Sequence, residues 1–136
     1  MTTAWAHLPN AAHIDAVLAD VKVRPEVWIG AWGIAKTPIR SQVINAALDR
    51  VIEAGRYDVW VAARRTASAA IWGQAKIPAR DALLALLAWD DSAALLDQPP
   101  EVLRAMADLA DAPVCHQAAL LLPYAIVRSN AKQEVT

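Results

Sequence analysis

An eleven-residue phrase occurs twice in this chain, forty residues apart. Ala31-Trp32-Gly33-Ile34-Ala35-Lys36-Thr37-Pro38-Ile39-Arg40-Ser41 returns as Ile71-Trp72-Gly73-Gln74-Ala75-Lys76-Ile77-Pro78-Ala79-Arg80-Asp81, with Trp, Gly, Ala, Lys, Pro and Arg in register. Self-similarity at such a period marks helical hairpins stacked one on the next. It constrains architecture before chemistry, since no catalytic signature accompanies either copy.

Apolar residues recur every three to four positions and no stretch alternates as a strand would, so the predicted fold is all-α. The spacing predicts six or seven short helices in stacked hairpins, as a bundle or a short α-solenoid with a repeat near 40 residues. They form a single domain over 1–128, followed by a polar tail over 129–136. Asn10 is placed to cap a first helix reaching about Val23. Pro25 opens a second that ends near Lys36. Pro38 starts a third with the apolar stripe Val43, Ile44, Ala47, Leu48, Val51 and Ile52, and Gly55 ends it. Asp58 caps a fourth helix reaching Lys76. Pro78 opens a fifth, rich in leucine from Leu83 to Leu87, that runs to about Asp97. Pro99 and Pro100 start a sixth. Pro113 starts the last, which is apolar nearly all round at Leu120, Leu121, Leu122, Ala125 and Ile126 and therefore reads as buried.

Length and composition agree with that architecture. A chain of 136 residues with 57% hydrophobic content can bury a substantial core. Thirty-one alanines favour helix and let backbones approach closely, leaving gaps that six Trp fill as packing wedges in the absence of Phe. A lone cysteine, Cys115, excludes an internal disulfide and points to a reducing, cytoplasmic setting. The start lacks a basic region followed by an apolar stretch, so no secretory signal is expected. Residues 112–127 carry no formal charge, but Pro113, His116, Gln117 and Pro123 interrupt a run too short to span a bilayer.

The net charge of −1 conceals two opposed halves. Residues 22–80 carry ten Lys/Arg against four Asp/Glu, and residues 81–111 carry seven Asp/Glu against Arg104 alone. Such a division fits either pairing of the two halves within the fold or a basic face offered to an acidic partner.

The opening residues 1–15, reading Met-Thr-Thr-Ala-Trp-Ala-His-Leu-Pro-Asn-Ala-Ala-His-Ile-Asp, are similar to the start of an uncharacterised family of small Ala/Trp/Arg-rich helical proteins encoded in bacterial and phage genomes. The resemblance continues through Trp60-Val61-Ala62-Ala63-Arg64, through the segment from Ala82 to Asp91, and through Leu120-Leu121-Leu122-Pro123-Tyr124-Ala125. It covers most of the chain. The sequence departs from the family pattern where Trp-Gly-x-Ala-Lys and proline breaks replace continuous Trp-x-Ala-Ala-Arg units. The resemblance implies an intracellular, phage-linked origin and lends no active site.

The repeated phrase also arranges cations. Trp32 and Lys36 stand four apart, as do Lys36 and Arg40; Trp72, Lys76 and Arg80 copy this, and Trp60–Arg64 shares the first step. On a continuous helix each cation can lie over the preceding indole, for about 0.5–1 kcal/mol. Each Lys is expected at a helix C-terminus, where the dipole favours it. Each Arg is expected at the third position of the next helix, where Glu or Gln is the usual residue. Two answers present themselves. The structural one pairs the arginines with Asp90 and Asp91, which border the leucine stripe of the fifth helix. The functional one is a basic edge of Lys36, Arg40, Arg64, Arg65, Lys76 and Arg80 that grips an acidic surface or phosphates.

Nothing in the sequence supplies an enzyme signature, and no metal or cofactor is expected. His7 and His13 are six apart across Pro9, which is not a helical ligand spacing. Cys115 and His116 are adjacent, so on a helix they diverge by about 100°, and His116 reads as a core residue. The leading expectation is a non-enzymatic protein-binding module, in the light of the resemblance a phage- or prophage-encoded modulator. It would dock onto a host or virion protein through Trp32, Lys36, Arg40, Arg64, Arg65, Trp72, Lys76 and Arg80, with exposed Trp rings as anchors. A nucleic-acid-binding helical repeat is the alternative. A small enzyme or ligand-binding protein using Asp90, Asp91 or His116 comes third, and exposed Trp or Leu faces are compatible with a homo-oligomer.

Overall fold

The computed structural model describes residues 5–34, 40–70, 73–89, 92–109 and 113–135. In chain order these form α1 (Ala11–Val23), α2 (Pro25–Ile34), α3 (Arg40–Glu53), α4 (Tyr57–Ala70), a 3-10 turn (Gly73–Ala75), α5 (Lys76–Ala88), α6 (Ser92–Leu96), α7 (Pro100–Ala107) and α8 (Pro113–Val135). The fold is all-α, with eight helices and no strand among the described residues. No helix is long and apolar enough to cross a membrane among those residues.

The leucine-rich segment of the second repeat becomes the axis of the molecule. In α5 every residue from Pro78 to Ala88 is buried except Arg80. Leu83, Leu84, Leu86 and Leu87 point to several sides of the helix, and each fully buried leucine contributes about 1.5–3 kcal/mol of apolar transfer free energy. A helix apolar on all faces needs neighbours on all faces, and α5 packs against α1, α2, α3, α4, α6 and α8. The long α8 covers one side and also reaches α2, α3, α6 and α7. In a solenoid each repeat would meet only its neighbours; here α8 closes back over α2 and α3, which makes a bundle.

Expected helix ends hold where a specific backbone device enforces them. Gly55 has φ +72°, its N–H bonds the Ile52 carbonyl (3.0 Å) and the Arg56 N–H bonds the Val51 carbonyl (2.9 Å). Those two bonds form a Schellman cap, which terminates α3. Val43, Ala47 and Val51 of the stripe are buried, with Ile44 and Leu48 packed beside them, whereas Ile52 at the helix end is exposed. Pro25 and Pro100 open α2 and α7 as the first-turn preference of proline dictates.

Other expectations are corrected. Helix α4 ends at Ala70, and Lys76 begins α5 two residues before Pro78. Proline is tolerated there because the first-turn N–H groups have no intrahelical partner in any case. Lys76 therefore sits at a helix N-terminus, not a C-terminus, and Arg80 is the fifth residue of its helix. The expected single helix to Asp97 is two: α5 stops at Ala88 because Trp89 is extended (φ −124°, ψ 106°), and α6 follows from Ser92. Residues 129–135 continue α8 rather than fraying into a tail. Its Pro123 lacks an N–H for the Ala119 carbonyl, a loss of about 3 kcal/mol. Packing offsets that loss, since Leu120, Leu121, Leu122, Tyr124, Ala125 and Val127 are all buried.

Asn10 occupies the position before α1 but makes no capping bond; its side-chain amide donates to the Leu86 carbonyl of α5. Two more carbonyls at that helix end are met the same way. Arg56 donates to Leu87 (3.0 Å) and Arg50 to Ala88 (3.2 Å), with the Arg50 guanidinium 5.7 Å from the Trp89 ring centroid. The last carbonyls of a helix have no partner within it and form the negative end of its dipole. Three side chains from α3 and the segments flanking it and α1 thus close the C-terminus of α5, two of them cationic.

Four tryptophans act as the expected wedges: Trp5, Trp28, Trp60 and Trp89 are buried. Trp5 donates to Asp15 (2.8 Å) and Trp28 to Asp20 (2.7 Å). Asp20 also accepts from Arg24, joining α1 to α2, and Trp28 packs tilted against Tyr124 of α8 with ring centroids 6.1 Å apart. Buried as they are, these rings are not available as anchors for a partner.

Candidate functional site

Helix α4 brings Trp60, Arg64, Ala67 and Ser68 to one side, since residues three and four apart share a helical face. Trp60 and Ala67 are buried and fix the helix to the core, leaving Arg64 and Ser68 exposed. The Arg64 guanidinium lies 5.1 Å from the Trp60 ring centroid, the one indole–cation step of the sequence reading that falls wholly on described side chains and is observed. A guanidinium held against an indole loses less entropy when it binds something.

Against this side lies the start of α5. Arg64, Ala67, Ser68, Lys76, Ile77 and Arg80 line a recess of about 260 Å³. Three of the four lining polar side chains are cationic, and none of the described lining residues is acidic. Helix α5 carries no acidic residue in its first turn. Cations at the C-terminus of α5 stand where the dipole favours them, whereas Lys76 and Arg80 stand at the end where it disfavours them.

Beneath the recess is a carboxylate that sequence reading passed over. Asp81 is buried; its Oδ2 accepts from the Trp32 indole N–H of α2 at 3.1 Å, and its Oδ1 lies 3.7 Å from the Arg80 guanidinium. Arg80 keeps 39% of its side chain exposed while the Asp81 side chain keeps 2%. An internal carboxylate thus stands beside the second repeat arginine, and it is Arg80's own neighbour Asp81; the expected partners Asp90 and Asp91 lie outside the described residues. Trp32 is half-buried with its N–H committed inward, so it serves the core.

Of the other expected contact residues, Arg65 is exposed on α4, turned about 100° from Arg64. Lys36, Trp72, Asp90 and Asp91, and the side chain of Arg40, lie outside the described residues. Cys115 is buried in α8 and forms no disulfide, and His116 beside it is half-buried. Among the described residues no three His, Cys, Asp or Glu gather as metal ligands would.

No protein-family profile, curated protein or solved structure matches this chain. The functional reading therefore rests on the site itself. Two signals could have found it. Asp81 is the lone acid inside an apolar run, standing where the first copy of the repeat has Ser41. Ser68 lies one helical turn beyond Arg64 and so shares its face.

Proposed function

We propose that this protein is a non-enzymatic binding module that docks onto an acidic protein surface through the face formed by α4 and the first turns of α5. One observation carries the reading: Arg64, Lys76 and Arg80, drawn from two helices, converge on a single recess with no acidic residue among its described lining. Arg65 extends the positive field on the exposed side of α4. The strongly acidic stretch 81–111 contributes Asp81 beneath Arg80, but no described Asp or Glu from it lines the recess. The resemblance in the terminal segments supports a bacterial or phage-encoded modulator as the biological setting, and a single, buried cysteine, Cys115, fits a reducing cytoplasm.

The test uses the full chain, tagged and incubated with host lysate with and without nuclease, against the variant R64E/R65E/K76E. These side chains are exposed or half-exposed, so the variant is expected to melt like the wild type. A protein retained after nuclease and lost with the folded variant supports docking through this face. Retention that disappears with nuclease transfers the face to nucleic acid, and equal retention by both proteins removes the face from function altogether.

A further inference from the structure

We infer that the recess between α4 and α5 binds a phosphate monoester dianion. Its oxygens would take the Arg64 and Arg80 guanidiniums, the Lys76 ammonium and the Ser68 hydroxyl. The inference rests on the reading of this face as a contact surface and names the group that the contact recognises.

Charge, donor count and volume select that group. The recess gathers three cations and one hydroxyl donor. A carboxylate offers two oxygens and a single charge, whereas a phosphate monoester carries about −1.5 to −2 at neutral pH and three strong acceptor oxygens. Arginine's planar fork suits phosphate bidentately, lysine adds a point charge, and serine completes the set. A volume of about 260 Å³ lies below the roughly 300–1,000 Å³ of sites that enclose a whole small molecule. The recess thus fits one terminal group rather than an entire nucleotide. A phosphodiester backbone asks for cations spread along its repeat; these three line a single recess.

The structure also prepares the donors. Trp60 holds Arg64 from beneath, and Asp81, itself held by Trp32, lies against Arg80 without covering it. The positive end of the α5 dipole adds to the field around Lys76 and Ile77, its first two residues.

The decisive experiment is an NMR titration of the isotope-labelled full chain with inorganic phosphate at constant ionic strength, with acetate as the carboxylate arm. Saturable shifts centred on Ser68, Ile77 and Arg80, stronger with phosphate than with acetate, are expected. Arg64→Gln and Lys76→Gln should each weaken the affinity by about tenfold, as loss of one charge-assisted contact does. Arg104→Gln on α7, far along the chain and exposed, should leave it unchanged. O-phosphoserine and a phosphoserine peptide separate the sources. A peptide that binds tighter than inorganic phosphate makes the ligand a modified side chain of a partner, and equal affinity makes it a small phosphorylated compound. Linear shifts that do not saturate, shifts equal for acetate and phosphate, or shifts centred outside α4 and α5 overturn the proposal. The titration contains no partner protein, so its failure leaves the lysate result standing, and the reverse also holds.

Discussion

The indole N–H of Trp32 bonds the Asp81 carboxylate at 3.1 Å across 49 residues of chain, tying the first copy of the repeat to the second. It supplies a buried anion with a donor and sets the anion against Arg80. Trp32→Phe keeps an aromatic ring, though a smaller one, and removes the donor. The expected loss is about 1–3 kcal/mol, the desolvation penalty of a buried polar group deprived of a partner, read from the midpoint of urea unfolding.

Closure of the α5 C-terminus by cations makes a second prediction. Arg56→Met deprives the Leu87 carbonyl of its guanidinium donor, and the expected destabilisation is about 1–3 kcal/mol. Arg65→Met, on the exposed side of α4, is expected to change stability by less than about 0.5 kcal/mol. Equal effects in thermal melts would show that the end of α5 draws nothing from Arg56.

Two glycines should respond in opposite directions. Gly55 holds φ +72°, so Gly55→Ala is expected to cost about 1–2 kcal/mol through left-handed strain. Gly30 lies within α2, and an added methyl there meets nothing within 4 Å. Gly30→Ala is expected to stabilise by about 0.5–1 kcal/mol. Denaturant midpoints of the two variants check the pair.

Tyr124 predicts the alkaline limit of stability. Burial pushes its phenol above the usual 10.0; Arg128, with its guanidinium 5.8 Å from the ring centroid, pulls it partly back, and Asp20 adds to the rise. A raised folded-state value means that the native protein holds this proton more tightly than the unfolded chain. The contribution is therefore complete below the unfolded value and lost as pH climbs through the folded one. The melting temperature should fall above about pH 10, and Tyr124→Phe should flatten that fall.

Much of this architecture could be read from particular residues. The 3–4 spacing of Val43, Ala47 and Val51 placed α3, and Gly55 placed its end, because both are local properties of the chain. The all-apolar faces of α8 declared its burial. The break after Ala88 was hidden, since alanine and leucine continue on both sides and the extended turn at Trp89 is stabilised by Arg50, far away in sequence. Asn10 misled for the same reason: its cap-like position is local, while its bond to Leu86 is tertiary. At the candidate site the cations Arg64, Lys76 and Arg80 stood out by their four-residue spacing to tryptophan or to one another. Their convergence on one recess depends on how α4 meets α5, and no spacing within either helix encodes it.

The central place of α5 has a consequence for how the chain is made. Helix α8, which covers one side of α5, begins to leave the ribosome some two dozen residues after α5 ends. At ordinary rates of synthesis that is an interval of about one to five seconds. Throughout it, a leucine-rich surface that the finished protein hides from water has no cover from its own chain. The nascent protein must pass that interval without aggregating, and the arrival of α8 ends the exposure.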